Sequence, residues 1–198
     1  SIGFRETGNF REFSAEREGY PFCGYTPKLT LPYSYQDPAI RWVKVGSEEE
    51  CRRIAGDADM FYGVSEALGE VGSPVTGSMV SGKLDRFVYL VIHEDCHDQF
   101  DLPYGVEEAV CEFVAYRAMA QFAEQRYRWY AGEGRAIRRY AEEQAGFSRM
   151  TVLAYEDLAK IYAKYERGDV TREVALRERE AFFARTARTV GWTRGPLN

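Results

Sequence analysis

The chain has only two histidines, and both fall in one short stretch, His93-Glu94-Asp95-Cys96-His97. On a helix, residues four apart share a face, so His93 and His97 can offer two imidazole nitrogens to one metal ion. Glu94 stands beside the first of them, where a carboxylate can take a proton from a metal-activated water. A third ligand must come from elsewhere, and Glu107, Glu108 and Glu112 follow a short way downstream. Three protein ligands leave a position open for water, which suits a catalytic rather than a structural zinc ion. The expected cofactor is therefore one Zn2+, and the expected chemistry is hydrolysis.

Two helices must position these groups. Leu84, Phe87, Val88, Val91 and Ile92 recur at intervals of three and four and carry an apolar face straight into His93. Asp101-Leu102-Pro103-Tyr104-Gly105 breaks that helix. A second is expected from Val106 to about Tyr130, with Val110, Phe113, Val114, Ala118 and Phe122 inward and Gly132 and Gly134 stopping it. The tight turn between them makes the two helices antiparallel neighbours. Glu108 and Glu112 are four apart on one face, whereas Glu107 points about 100° away from Glu108. Glu108 is thus the expected third ligand, and Glu112 a carboxylate that orients a ligating histidine through its other ring N–H. The competing reading, in which these residues only coat solvated helix faces, is opposed by the apolar run Val88-Tyr89-Leu90-Val91-Ile92 before His93. A di-iron bundle needs E-x-x-H twice, and no histidine is left for the second copy.

The rest of the chain frames these helices. Prolines at 21, 27, 32 and 38 rule out a long helix in the aromatic first 45 residues, which read as an edge of the core. Arg41 to Val45 alternates as a strand. Ser47 caps a short helix that runs through Ile54, with Glu48, Glu49 and Glu50 in its first turn. Residues 60–68 read as a weaker helix, and 69–82 as a loop with a short strand near Val75 to Val80. A polar helix at Arg135 to Ala145 is expected next. A separate amphipathic one follows from Met150 to Tyr165, ending at Gly168, and a last one is capped by Thr171 and stopped at Gly191. The expected fold is one α+β domain over residues 1–198. A small mixed part, 1–83, packs on a helical part, 84–198, with the metal motif where they meet.

Bulk properties bound the partners. The chain has 198 residues, 45% of them hydrophobic, enough to bury a core without staples. A net charge of -5 argues against nucleic acid as a partner. The five arginines between Arg126 and Arg139 read as a solvated helical face despite their aromatic neighbours. No apolar run reaches the roughly 20 residues of a transmembrane segment. Cys23, Cys51, Cys96 and Cys111 form no C-x-x-C pair. They read as small buried thiols, with a disulfide or ligand role as the alternative.

The glutamate segment carries a resemblance. Gluzincin metallopeptidases join H-E-x-x-H to a later helix of the form N-E-x-x-A-x-F/Y, and Glu107-Glu108-Ala109-Val110-Cys111-Glu112-Phe113 follows that outline. Glu107 and Cys111 depart from the Asn and Ala of the pattern, and Asp95 stands where an uncharged residue is usual. The chain more specifically resembles a bacterial family of zinc aminopeptidases, in which the gap between the second histidine and the glutamate is close to the eleven positions from His97 to Glu108. Leu158-Ala159-Lys160-Ile161-Tyr162, residues 172–188 and the terminal Pro196-Leu197-Asn198 resemble later parts of that family, and Gly24-Tyr25 an upstream pair. The resemblance implies a zincin-like fold, His93, His97 and Glu108 on zinc, Glu94 as general base, a peptide or protein substrate, and an extracytoplasmic or envelope-associated setting.

Such a reaction needs a donor for the developing oxyanion besides the metal. With no third histidine, Tyr104, Tyr116 and Tyr155 are the candidates. The alternative reading is a zincin-like binding or structural protein with little or no catalysis, and a zinc hydrolase acting on a non-peptide amide would share the site.

Overall fold

In a computed structural model, which describes residues 3–15, 19–67, 72–128 and 131–190, the chain is α+β. The elements run β1 (Phe13–Ser14), β2 (Tyr20–Thr26), β3 (Arg41–Val43), α1 (Glu48–Ala55), β4 (Asp59–Ser65), β5 (Val75–Thr76), α2 (Gly77–Ser81), α3 (Leu84–His97), α4 (Tyr104–Arg126), α5 (Gly132–Glu166) and α6 (Arg172–Val190). They divide into two compact units, residues 1–20 with 64–147 and residues 21–63 with 148–198. This grouping cuts across the expected boundary at residue 83: the first unit joins an amino-terminal segment to α3, α4 and the start of α5, and the second joins residues 21–63 to the rest of α5, from 148, and to α6.

The first unit is built on α3 and α4. Tyr89, Leu90, Ala115, Met119, Ala123 and Ile137 form its buried core, with Phe10 and Val75 packed against it. β1 and β5 pair in parallel, Phe13 opposite Val75. The strand expected over Val75 to Val80 stops after two residues, because Thr76 turns the chain into α2: its Oγ1 accepts from the Met79 amide at 3.3 Å. The buried face of α4 is also rotated from the expected one. Cys111, Ala115, Ala118, Met119 and Ala123 are buried, while Phe113 is 65% exposed. Small side chains on that stripe let α4 approach α3 closely, and the stripe continues the face that carries Glu108.

In the second unit β3, β2 and β4 form a sheet in that order, with β2 and β3 antiparallel. β4 replaces the helix expected over 60–68; residue 68, the last of that span, lies outside the described residues. Met60, Phe61, Tyr62 and Val64 suit a pleated surface, and the ring of Phe22 on β2 lies over Gly63, where a Cβ would come within 2.6 Å of it. Phe22, Trp42, Phe61 and Tyr35 cluster with centroids 5.5–5.9 Å apart, and the last three border a cleft of about 290 Å³. Ser47 caps α1 as expected, accepting from the Glu50 amide at 3.2 Å. A disulfide joins Cys51 on α1 to Cys23 on β2. Leu29, Leu158, Tyr162, Ala175 and Phe182 make a second core cluster. The buried Arg179 is held there by Asp59, Glu180 and the Tyr162 hydroxyl.

The two helices expected over 135–145 and 150–165 are one helix, α5. A single internal glycine, Gly146, costs only about 1 kcal/mol in a helix, too little to break one that packs at both ends. α4 stops earlier than expected, at Arg126, where Tyr127 turns extended, so Gly132 and Gly134 begin α5 rather than ending α4. α5 does end at Gly168, whose φ of 76° lets the Asp169 amide reach back to the Lys164 carbonyl. Thr171 caps α6 through the Val174 amide, and Gly191 lies outside the described residues.

Candidate metal centre

The site lies within the first unit. His93 and His97 stand one turn apart on α3 with ring centroids 5.0 Å apart and planes nearly perpendicular. Glu108 enters from α4. Its Oε2 lies 3.4 Å from Nε2 of His93, and its Oε1 lies 3.5 Å from Nε2 of His97. One donor atom from each of the three residues lies within 4.8 Å of the other two. These separations exceed an ordinary N–H···O bond. They match the edge of a zinc tetrahedron with bonds near 2.0–2.1 Å, which is about 3.3 Å. The donor set, two imidazoles and one carboxylate, is that of catalytic zinc, so the residues present fit the ion.

The helices that meet here are also joined covalently. Cys96, next to His97, and Cys111, one turn after Glu108, form a disulfide and are both fully buried. The four cysteines expected as small buried thiols are therefore two disulfides. The reason is geometric: once two helices face each other through His97 and Glu108, neighbouring positions on the same faces oppose as well, with Cα atoms 5.5 Å apart.

Each ligating ring has a partner at its other nitrogen. Nδ1 of His93 lies 3.3 Å from the hydroxyl of Tyr89, and the two rings stack at 5.1 Å. Nδ1 of His97 lies 3.9 Å from Oε2 of Glu107. The supporting role expected of Glu112 is thus met at His93 by Tyr89. Glu112 is half-buried, and its charge reinforces burial in raising the Tyr89 phenol above its ordinary range. Tyr89 was not expected at the site, and Glu107 was weighed there only as a candidate third ligand. Tyr89 carries the same signal as the histidines, because 89, 93 and 97 form one i, i+4 series. Glu107 was set aside on helical angle alone, although a glutamate side chain is long enough to reach round the helix.

Glu94 is half-buried beside the ligands. Burial pushes its carboxyl above the usual carboxylate range, with Glu108 adding to the shift and His93, His97 and Arg86 opposing it. A carboxyl held above its ordinary range is suited to passing a proton near neutral pH.

Asp95 faces away from the ligands, as its place between two residues on one helical face requires. Its Oδ1 accepts from the Thr7 hydroxyl and from Nδ2 of Asn9. Asn9 also donates to Asp98, and the Arg5 guanidinium donates to the Asp98 carbonyl at 2.9 Å. The unusual residue of the motif is an anchor that holds the segment around Thr7 and Asn9 on α3.

The three tyrosines considered as oxyanion donors fall in different places along the chain. Tyr116 is half-buried and stacks on Tyr89 at 5.8 Å. Tyr155 is 40% exposed on α5, in the second unit. The side chain of Tyr104 lies outside the described residues. Of the five arginines expected on a solvated face, Arg126, Arg128, Arg135 and Arg139 are exposed and Arg138 is half-buried. No described helix is long and apolar enough to cross a membrane.

No family model, no curated protein and no solved structure matches the chain.

Proposed function

We propose that the chain is a zincin-like, zinc-dependent metallopeptidase that hydrolyses peptide bonds at the His93, His97 and Glu108 centre. One observation carries the reading: three donors from two helices lie within 4.8 Å of one another, the two histidines at 3.4 and 3.5 Å from Glu108, with a half-buried glutamate adjacent. Zinc held there supplies a Lewis acid for the scissile carbonyl and acidifies the attacking water. Glu94 takes the proton of that water and delivers it to the leaving amine. The disulfide between Cys96 and Cys111 keeps α3 and α4 in register, so the ligands need little reordering to bind the ion. Two disulfides support maturation in an oxidising compartment, in keeping with the extracytoplasmic setting that the family resemblance implies. An aminopeptidase activity on peptide or protein substrates rests on that resemblance as well.

Replacing Glu94 by Gln tests the assignment. The variant should keep its zinc and lose peptide hydrolysis by about 10²–10⁴-fold, the usual contribution of a general base. Hydrolysis of a peptide library unchanged in Glu94→Gln removes Glu94 from the reaction. A wild-type protein that binds zinc but cleaves neither peptides nor small amides is a binding protein on the same scaffold.

A further inference from the structure

The sheet of the second unit has one face on α1 and one face that departs from the usual pattern. Cys23 and Val43 point to the α1 side, where Cys23 is joined to Cys51. An antiparallel pair packed on one side commonly carries polar residues on the other. Here the other side carries Phe22, Trp42 and Phe61. Trp42 stands opposite Gly24 in the register, and its ring lies over that glycine, where a Cβ would come within 2.7 Å of it. Its Nε1 donates to the Tyr35 carbonyl at 3.0 Å. One face of the indole is thus taken by Gly24 and its one donor is spent, yet the residue stays exposed. The exposed Tyr35 ring stands beside it, with centroids 5.9 Å apart and planes inclined by 39°. Asp37 fixes the loop that carries Tyr35, accepting from the Tyr33 and Ala39 amides at 3.0 and 2.8 Å.

We propose that the cleft bordered by these rings binds a quaternary ammonium group, with Trp42 and Tyr35 as its platform and Asp59 as its counter-charge. At about 290 Å³ the cleft is near the lower end for ligand pockets and suits a small group. Ring faces carry the negative end of the aromatic quadrupole and attract cations, Trp most strongly. Among the described residues that line the cleft, Asp59 alone is charged. Arg179 does not cancel it, because that guanidinium is shared between Asp59 and Glu180, and the three groups together keep one negative charge. A primary ammonium is strongly hydrated and brings three N–H donors, which walls made mostly of carbon do not satisfy. A quaternary ammonium brings none and presents only methyl groups to the rings. A proline-rich segment brings carbonyls in need of a donor, and the Trp42 N–H is already engaged. The claim is independent of the metal reading, since every residue in it belongs to the second unit.

The test is calorimetric titration of choline into the full chain. The wild type should bind choline in the millimolar range. Ethanolamine, and the neutral isostere with a tert-butyl group in place of the trimethylammonium, should each bind at least about tenfold more weakly. Trp42→Leu and Tyr35→Leu keep an apolar wall but remove a ring face, and each should weaken choline by about tenfold. Tyr35 is the more exposed of the two, so its variant decides the matter if Trp42→Leu does not fold. No binding of choline up to about 10 mM, an isostere that binds as well as choline, or binding unmoved in Tyr35→Leu overturns the inference. Sedimentation with phosphatidylcholine vesicles then separates two sources of the same group. A chain drawn down by these vesicles, and not by phosphatidylglycerol vesicles, identifies a lipid headgroup. A chain that binds choline and stays in solution identifies a soluble cation, and the site is upheld in both cases.

Discussion

Cys96 and Cys111 are joined across the two helices that carry the proposed metal ligands, each within one turn of such a residue on its own helix. The bond therefore fixes the same relationship between α3 and α4 that His97 and Glu108 need. It closes a separation of 15 positions, which in the chain-entropy picture stabilises the fold by about 3 kcal/mol. The double substitution Cys96→Ala with Cys111→Ala should lower metal-free stability by that order in chemical denaturation. Zinc affinity should fall too, because ordering of the helices is then opposed to binding. Added zinc should restore part of the lost stability, since the ion bridges the same two helices. A variant as stable as wild type, with unchanged zinc affinity, removes the disulfide from the support of the site.

Asp95 holds Thr7 and Asn9 rather than the metal. Asp95→Ala should cost about 2 kcal/mol, the range for hydrogen bonds to a charged acceptor. The first residues should detach, so trypsin should cut sooner after Arg5 or Arg11. Zinc content should stay at the wild-type level. Loss of zinc in this variant would place Asp95 at the metal and contradict its role as an anchor.

Three phenols are held up by burial: Tyr89, Tyr140 and Tyr162, with Arg86 opposing the shift at Tyr140 and Arg179 at Tyr162. A raised folded-state value means the folded protein holds the phenolic proton more tightly than the unfolded chain. The stability this adds is fully present below about pH 10, the ordinary tyrosine value, and is lost as pH rises through the folded-state values. In a spectrophotometric titration at 295 nm these three should be missing from the reversible transition near pH 10 and appear only as the fold opens. Reversible titration of all fourteen tyrosines near pH 10 would show that these rings are not buried.

The ligand set was legible because its signals are local. His93 and His97 share a helical face through spacing alone, and Ser47 and Gly168 mark helix ends by their own backbone chemistry. Partners set by packing were not legible. Phe113 looks like a core residue by type, yet the small stripe through Cys111 and Ala115 is what faces α3, and no periodicity count separates a stripe of small residues from one of large ones. The pairing of Cys96 with Cys111 becomes visible only once the two helices are known to touch. The polar stretch to Ala145 and the amphipathic one from Met150 read as two helices by their different periodicity, but the penalty of one glycine between them, Gly146, is small beside the packing of a helix of 35 residues. Asp95 looked out of place in the motif because its partners, Thr7 and Asn9, lie more than eighty positions away in sequence.

Elemental analysis after zinc repletion and desalting reads whether His93, His97 and Glu108 hold one zinc ion. One equivalent of zinc per chain is expected in the wild type and in Glu94→Gln, and close to none in His93→Ala, His97→Ala or Glu108→Ala. Less than about half an equivalent in the repleted wild type, or full zinc retained in Glu108→Ala, would contradict it.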